Sequence, residues 1–208
     1  MILMTAATSP IIKVRCDLVL FALQGNGIDK IEPAARVSSR PTIALGICTF
    51  QRNDLLLDLL KTIDAQTGAI DADVTVLIID NNSRPSVPQD SVLAATKYKV
   101  TVVHEPRPGL VNARNRLFEL AEETGAEWLI GTDDDMTVAK DWLSQWIKGI
   151  RELNAEIMLG DINLTYSGTI NSFIPQRQSA KPGLGKPPRM LATGNYAISR
   201  TVFAQKRG

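Results

Sequence analysis

Soft metal ligands are scarce in this chain. It has one histidine, His104, and two cysteines, Cys16 and Cys48, which stand far apart and fit no metal-ligand spacing. Isolated cysteines of this kind suit a reduced, cytoplasmic setting. Charge of one sign is lacking as well: 23 Lys and Arg against 22 Asp and Glu leave a formal net charge of +1. No basic excess points to nucleic acid, and no acidic excess points to a solvating tail. No apolar run approaches the about 20 residues of a membrane helix. The apolar N-terminal stretch (Ile11-Ile12, then Leu18 to Phe21) is interrupted by Lys13, Arg15 and Asp17, and no small-residue cleavage site follows it. It reads as neither signal peptide nor anchor. Glycine-rich phosphate loops are missing too. Gly25-Asn26-Gly27 is a turn signal without a third glycine, and the segment Gly46 to Arg52 has too little glycine to cradle a phosphate. That excludes a dinucleotide dehydrogenase and ranks a nucleotidyltransferase low.

The 208 residues can bury one sizeable core. Residues 1–40 show no sustained period and end in a polar stretch, Glu32-Pro33 to Arg40-Pro41, which predicts a poorly ordered extension or an added short element. From Pro41 onward, in residues 41–208, apolar strands alternate with helices. Strands are predicted over Thr42 to Cys48, Val74 to Ile79, Val100 to Val103, Trp128 to Gly131 and Ile157 to Leu164. Helices are predicted after Asn53 or Asp54 as cap, over Gln89 to Ala95, over Val111 to Glu123, and from about Asp141 to Leu153. Thr165 to Arg189, rich in Pro, Gly and Ser, predicts a loop, and its Arg177, Lys181, Lys186 and Arg189 could close on phosphates or simply be solvated. The alternation implies an α/β domain with a parallel sheet covered on both faces. Ligands of such sheets bind outside the carboxyl ends of the strands.

Polar groups gather at that edge. Thr132-Asp133-Asp134-Asp135 follows the strand at Trp128, and three adjacent carboxylates need a cation to be held together. Oxygen ligands suit Mg or Mn, which commonly share themselves with substrate phosphates. Asp133 and Asp135 could hold such an ion through alternate positions, with Asp134 facing a sugar or ribose; capping of the following turn is the alternative. Asp80 and Asn81 could read a base edge or ribose, or form an Asx-turn leaving the strand. Thr49 could bond a nucleoside. Arg52 could meet phosphate or base, or be solvated. Arg114 and Asn115 could face a nucleotide, with Glu119 as a competing helix partner for Arg114. His104 ends a strand and reads as structural, and Trp142 and Trp146 read as core.

Taken together, Ile47-Cys48-Thr49-Phe50-Gln51-Arg52, Ile79-Asp80-Asn81-Asn82-Ser83, Glu105-Pro106-Arg107-Pro108-Gly109-Leu110, Ala113-Arg114-Asn115 and Thr132-Asp133-Asp134-Asp135 resemble the family 2 glycosyltransferases. The likeness is to bacterial members of the succinoglycan type, and Asp141-Trp142-Leu143, Gly160 and Ala192-Thr193-Gly194-Asn195 extend it. The resemblance implies a GT-A fold, a Rossmann-type three-layer sandwich around a mostly parallel sheet. It implies a nucleotide-sugar donor, UDP-hexose by expectation, with Mn or Mg and inverting transfer to a glycan or lipid-linked saccharide in exopolysaccharide biosynthesis. Such an acceptor would bring the protein to the inner membrane face. By the resemblance, Thr49, Asp80 and Asn81 meet the nucleoside, Asp133 and Asp135 hold metal and diphosphate, and Gly194 and Asn195 lie near sugar or acceptor. One-step inversion needs a carboxylate base. The family supplies it from a Glu-Asp motif some way beyond the segment resembling Thr193-Gly194-Asn195. That motif has no counterpart here, since no acidic residue follows Asp161 and the sequence ends at Gly208. The general base is therefore expected beyond Gly208, and no catalytic residue is assigned within the chain. The expectation is a GT-A domain incomplete at its C-terminus and impaired in transfer, with a non-catalytic nucleotide- or glycan-binding module as the competing reading.

Overall fold

The computed structural model describes residues 40–153, 155–160, 162 and 194–205 in full, and the backbone of 12–16, 21–23 and 163–166. The strands are β1 (Ile12–Cys16), β2 (Phe21–Leu23), β3 (Thr42–Thr49), β4 (Asp73–Asp80), β5 (Lys99–His104), β6 (Trp128–Asp133), β7 (Thr137–Val138), β8 (Ile157–Leu159), β9 (Asn163–Tyr166) and β10 (Asn195–Ser199). The helices are α1 (Asn53–Asp64), α2 (Gln89–Ala94), α3 (Leu110–Glu123), α4 (Trp142–Glu152) and α5 (Arg200–Phe203). A seven-stranded sheet runs in the order β2-β8-β10-β6-β3-β4-β5. Its β6-β3-β4-β5 part is parallel, and β10, β8 and β2 extend it by antiparallel pairing. A second sheet has the order β7-β1-β9.

Residues on alternate sides of each strand enter different cores, as the period of two requires. Ile43, Leu45 and Ile47 of β3, Val76 and Ile78 of β4, and Ile130 of β6 pack under α1, α2 and α4. Ala44 of β3, Leu77 and Ile79 of β4, and Leu129 of β6 pack under α3 and α5. In α1 the buried positions Leu56, Leu59, Leu60 and Ile63 form one helical stripe. In α4 Trp142 and Trp146 lie edge to face in the core with ring centroids 6.5 Å apart. The sheet is thus covered on both faces, and the expected α/β layering with a parallel centre is what forms.

Several boundaries differ from the sequence reading. Neither Asn53 nor Asp54 caps α1: the N-cap position is Arg52, without a side-chain cap bond. The Asn53 amide instead donates to the Ser86 carbonyl at 2.9 Å, tying α1 to the loop after β4. The single strand expected over Ile157 to Leu164 is two, β8 in the large sheet and β9 in the small one. Gly160, between them, lies against the side chain of Asn195, where a Cβ would collide. Within residues 1–40, β1 pairs with β7 and β9, and β2 pairs with β8. Thr165 and Tyr166 belong to β9. The rest of the expected loop, with Arg177, Lys181, Lys186 and Arg189, lies outside the described residues, as does Thr193. Gly208, beyond which the general base is expected, lies outside them too. No helix among the described residues is long and apolar enough to cross a membrane.

Candidate functional site

The parallel registers line up the strand ends. Thr49 pairs with Asp80, Cys48 with Asp133, and Asp80 with His104. Four loops therefore leave the sheet at one level and surround a cleft of about 400 Å³. Its polar side is Thr49, Arg52 and Asp133 to Asp135; its apolar side is Phe50, Pro108, Leu110 and Ala113. Phe50 and Leu110 are large hydrophobics left half exposed here.

The acidic turn is held from both flanks. Thr49 Oγ1 donates to Asp134 Oδ2 at 2.7 Å. Arg52 Nη1 donates to Asp135 Oδ2 at 2.8 Å and to Asp134 Oδ1 at 3.3 Å. Arg114 reaches Asp133 Oδ1 at 3.5 Å. Burial pushes the carboxyls of Asp133 and Asp134 above their usual range, and the neighbouring carboxylates push the same way; Arg114 counters this at Asp133, Thr49 and Arg52 at Asp134. Beneath the turn, burial raises the Cys48 thiol to about 12, so it is not a thiolate nucleophile. Burial likewise raises Tyr196, whose ring covers Gly131.

A hard divalent cation fits the chemistry of this turn, because it would relieve partly desolvated carboxylates that Arg114, Arg52 and the Thr49 hydroxyl compensate only in part. Among the described residues no three His, Cys, Asp or Glu side chains converge on one point. An ion here would take one or two carboxylates and complete its shell with phosphate and water, as Mg and similar ions do.

The expected site residues divide into two groups. Thr49, Arg52, Asp133, Asp134 and Asp135 line the cleft, Arg114 joins them through Asp133, and Asn81 contributes to the same lining. Arg114 turns to Asp133 rather than to Glu119; it is Arg116 that pairs with Glu119 and Glu123. Asp80 and Asn81 are buried, and their side chains are engaged within the protein. Asp80 accepts from the backbone N–H groups of Asn82, Ser86 and Val87 and from the Asn82 side-chain amide, between 2.6 and 3.1 Å. Burial alone would raise its carboxyl; these donors hold it below the usual range instead. This is the Asx-turn alternative. Asn81 donates to the carbonyls of Glu105 and Arg107 and accepts from the Gly109 N–H at 3.0 Å. It therefore fixes the Pro108–Leu110 wall, which turns at Gly109 with φ 109°. Gly194 lies against the acidic turn: a Cβ would fall 2.6 Å from Asp133 Oδ2. Asn195 is fully buried beneath the turn and accepts from Trp142 Nε1 at 2.9 Å, so its amide does not face the cleft. His104 is structural, its Nε2 donating to the Asn82 carbonyl at 2.7 Å.

Sequence reasoning gave no role to Phe50, Gln51 or Tyr196. Gln51 is the one non-glycine residue with positive φ among those described, 55°, and its N–H donates to Asn82 Oδ1. The strained residue sits between Thr49 and Arg52, where it aims both at the acidic turn. No local sequence signal marks it.

Glu105 carries a pH prediction. Hydrogen bonds from the Arg107 side chain and backbone hold this buried carboxylate down to about 2. Unfolded, it titrates near about 4.3. Because the folded value is the lower one, its contribution to stability is complete above about 4.3 and is lost as pH falls toward about 2. In acid denaturation followed by circular dichroism, Glu105→Gln is expected to flatten the fall in stability across that window and to lower stability at pH 7.

Residues 45–205, most of the chain, match the family Glycosyl transferase family 2. The chain is 29% identical over 165 residues to the succinoglycan biosynthesis protein ExoM of Rhizobium meliloti (strain 1021), covering 78% of this chain and 47% of that protein. It thus spans about half the length of the curated relative it matches. Among solved structures it is similar to the mannosyltransferase PcManGT from Pyrobaculum calidifontis, at TM-score 0.48 and 20% identity over 62% of this chain and 38% of that one. It is similar also to S. aureus TarS 1-349, at TM-score 0.48 and 19% identity over 56% and 34%. The matched stretch contains the cleft and every loop around it, and the chain belongs to the family 2 glycosyltransferases.

Proposed function

We propose that the cleft binds a nucleotide-diphosphate sugar together with Mn or Mg, in a GT-A-type domain that serves sugar transfer, with inversion, to a glycan or lipid-linked saccharide during polysaccharide biosynthesis. The observation that carries this reading is the acidic turn at the end of β6, held by Thr49 and Arg52 and facing the cleft at the carboxyl edge of the parallel sheet. Family membership and the likeness to the succinoglycan protein support it.

Each wall has a task under this reading. Phe50, Pro108 and Leu110 offer an apolar slot for the flat face of a nucleobase. Asp80 and Asn81 shape the loops that frame the slot, and Asn81 also lines it. Asp133 and Asp135 would hold the cation, which when bound stabilises negative charge on a departing diphosphate. Arg114 adds positive charge beside Asp133, and Arg52 adds it beside Asp134 and Asp135. Thr49 fixes Asp134 from the β3 side of the turn. Gly194 leaves room for Asp133. A lipid-linked acceptor would bring the chain to the cytoplasmic face of the inner membrane.

Thermal-shift titration with UDP, GDP, CDP and ADP, each with and without Mn, tests the reading. One or more diphosphates should raise the melting midpoint only when Mn is present. No shift with any of them would overturn it. A metal-dependent shift without sugar transfer would favour a binding module of the same fold.

A further inference from the structure

The acidic turn already contains a cation of the chain's own. One nitrogen of Arg52, Nη1, is shared between Asp135 Oδ2 at 2.8 Å and Asp134 Oδ1 at 3.3 Å. The two contacts are unequal in setting. Asp134 is buried and anchored independently by Thr49, whereas the side chains of Arg52 and Asp135 are 51% and 43% exposed. An exposed pair of this kind is weak, since water and salt screen it and two long side chains must be held still. The Arg52–Asp135 contact is therefore the one that yields first.

Arg52 also stands on a boundary. It lines the acidic cleft, and it lines a second, shallower hollow formed by Gln51 to Leu55 with Asn82 to Ser86. Its backbone is fixed at the N-cap position of α1, behind the strained Gln51, so only the side chain needs to move. A rotation away from Asp135 keeps the guanidinium at the rim. There it can meet the oxygens of a diphosphate in two parallel hydrogen bonds, the geometry a planar guanidinium favours.

From these observations, and resting on the donor-binding reading above, we infer that Arg52 is an exchangeable counter-ion: it neutralises Asp135 while the cleft is empty, a divalent cation displaces it, and the freed guanidinium takes a donor phosphate. The cation and Arg52 compete for one carboxylate, yet they cooperate once a diphosphate is present. Arg52 thus opposes capture of metal alone and favours capture of metal with nucleotide.

The test uses the full chain, Arg52→Gln and Arg52→Lys. Free Mn measured by electron paramagnetic resonance gives metal affinity without nucleotide. Calorimetry with UDP at saturating Mn gives nucleotide affinity. Arg52→Gln is expected to bind Mn alone about five-fold or more tighter than the wild type, and UDP at saturating Mn about five-fold or more weaker. Arg52→Lys, which keeps the charge and loses the fork, should fall between on both scales. Opposite signs in the two assays are the signature, because unfolding would weaken both. Unchanged or weaker Mn binding by Arg52→Gln would overturn the exchange, and unchanged UDP affinity would overturn the phosphate role. If the wild type binds Mn and UDP while these variants match it, only this inference fails. If the wild type shows no metal-dependent nucleotide binding, the inference falls together with the donor-binding reading.

Discussion

Asp135→Ala is expected to weaken Mn-dependent binding of UDP by more than about 100-fold, since even residues one shell out from a metal commonly cost 10–100-fold. The fold should survive. Asp135 is half exposed, and its only described side-chain partner is the exposed Arg52, so stability should change by no more than about 1 kcal/mol. Calorimetry for binding and urea denaturation for stability separate the two effects. A variant that kept wild-type metal-dependent affinity would show that the turn has another task. Asp134→Ala should behave differently. Asp134 is buried and accepts from both Thr49 and Arg52, so its loss leaves a buried hydroxyl without its acceptor and should cost stability as well as binding.

The second large effect is expected at Gly131. It faces Tyr196 across the β6–β10 pair, and a Cβ at Gly131 would fall on the tyrosine ring and hydroxyl. On the other side, Gly131 pairs with Gly46, whose own Cβ would meet Leu117 of α3 at 2.6 Å. Two glycines side by side thus give the sheet a flat patch on which Leu117 and Tyr196 lie. Gly131→Ala should cost about 1–3 kcal/mol or more, the usual scale of overpacking in a full core. Because the displaced ring neighbours Cys48, Arg114 and Asp133, nucleotide binding should fall with it. Trimming the ring in the same chain, Gly131→Ala with Tyr196→Ala, should recover part of the stability lost by Gly131→Ala alone. Wild-type stability for Gly131→Ala, measured by urea denaturation, would refute this packing account.

What was legible in the sequence follows from what is local. The parallel centre shows itself because β3, β4 and β6 are short, mostly apolar runs, with β5 a partly polar strand at the sheet edge, and α1 and α4 carry their apolar residues at helical spacing. The acidic turn was legible because three carboxylates in a row have few structural uses. The roles of Asp80 and Asn81 were not legible. An aspartate and an asparagine at a strand end look the same whether they face a ligand or turn back to hold a loop. The choice is made by Ser86, Val87, Glu105 and Gly109, six to 28 residues away. The sequence singled out Arg114 and left Glu119 as a competing partner; the way α3 lies on the sheet turns Arg114 to Asp133 instead. Caps failed for a related reason: Asn53 bonds across to Ser86, and a tertiary partner outweighs the local one. The break between β8 and β9 falls at Gly160-Asp161, a turn-type pair that the reading of one strand over Ile157 to Leu164 passed over, and the two halves join different sheets.

The central claim is that clustered carboxylates at the end of β6 take a divalent ion that grips a diphosphate beside Thr49. Crystals grown with Mn and UDP, and measured for the anomalous signal of Mn, test it most directly. A single strong peak coordinated by Asp133 or Asp135 and by oxygens of the diphosphate is the expected result. A peak elsewhere on the chain, or UDP seated in the cleft with Arg52 still on Asp135 and no ion between, would contradict it.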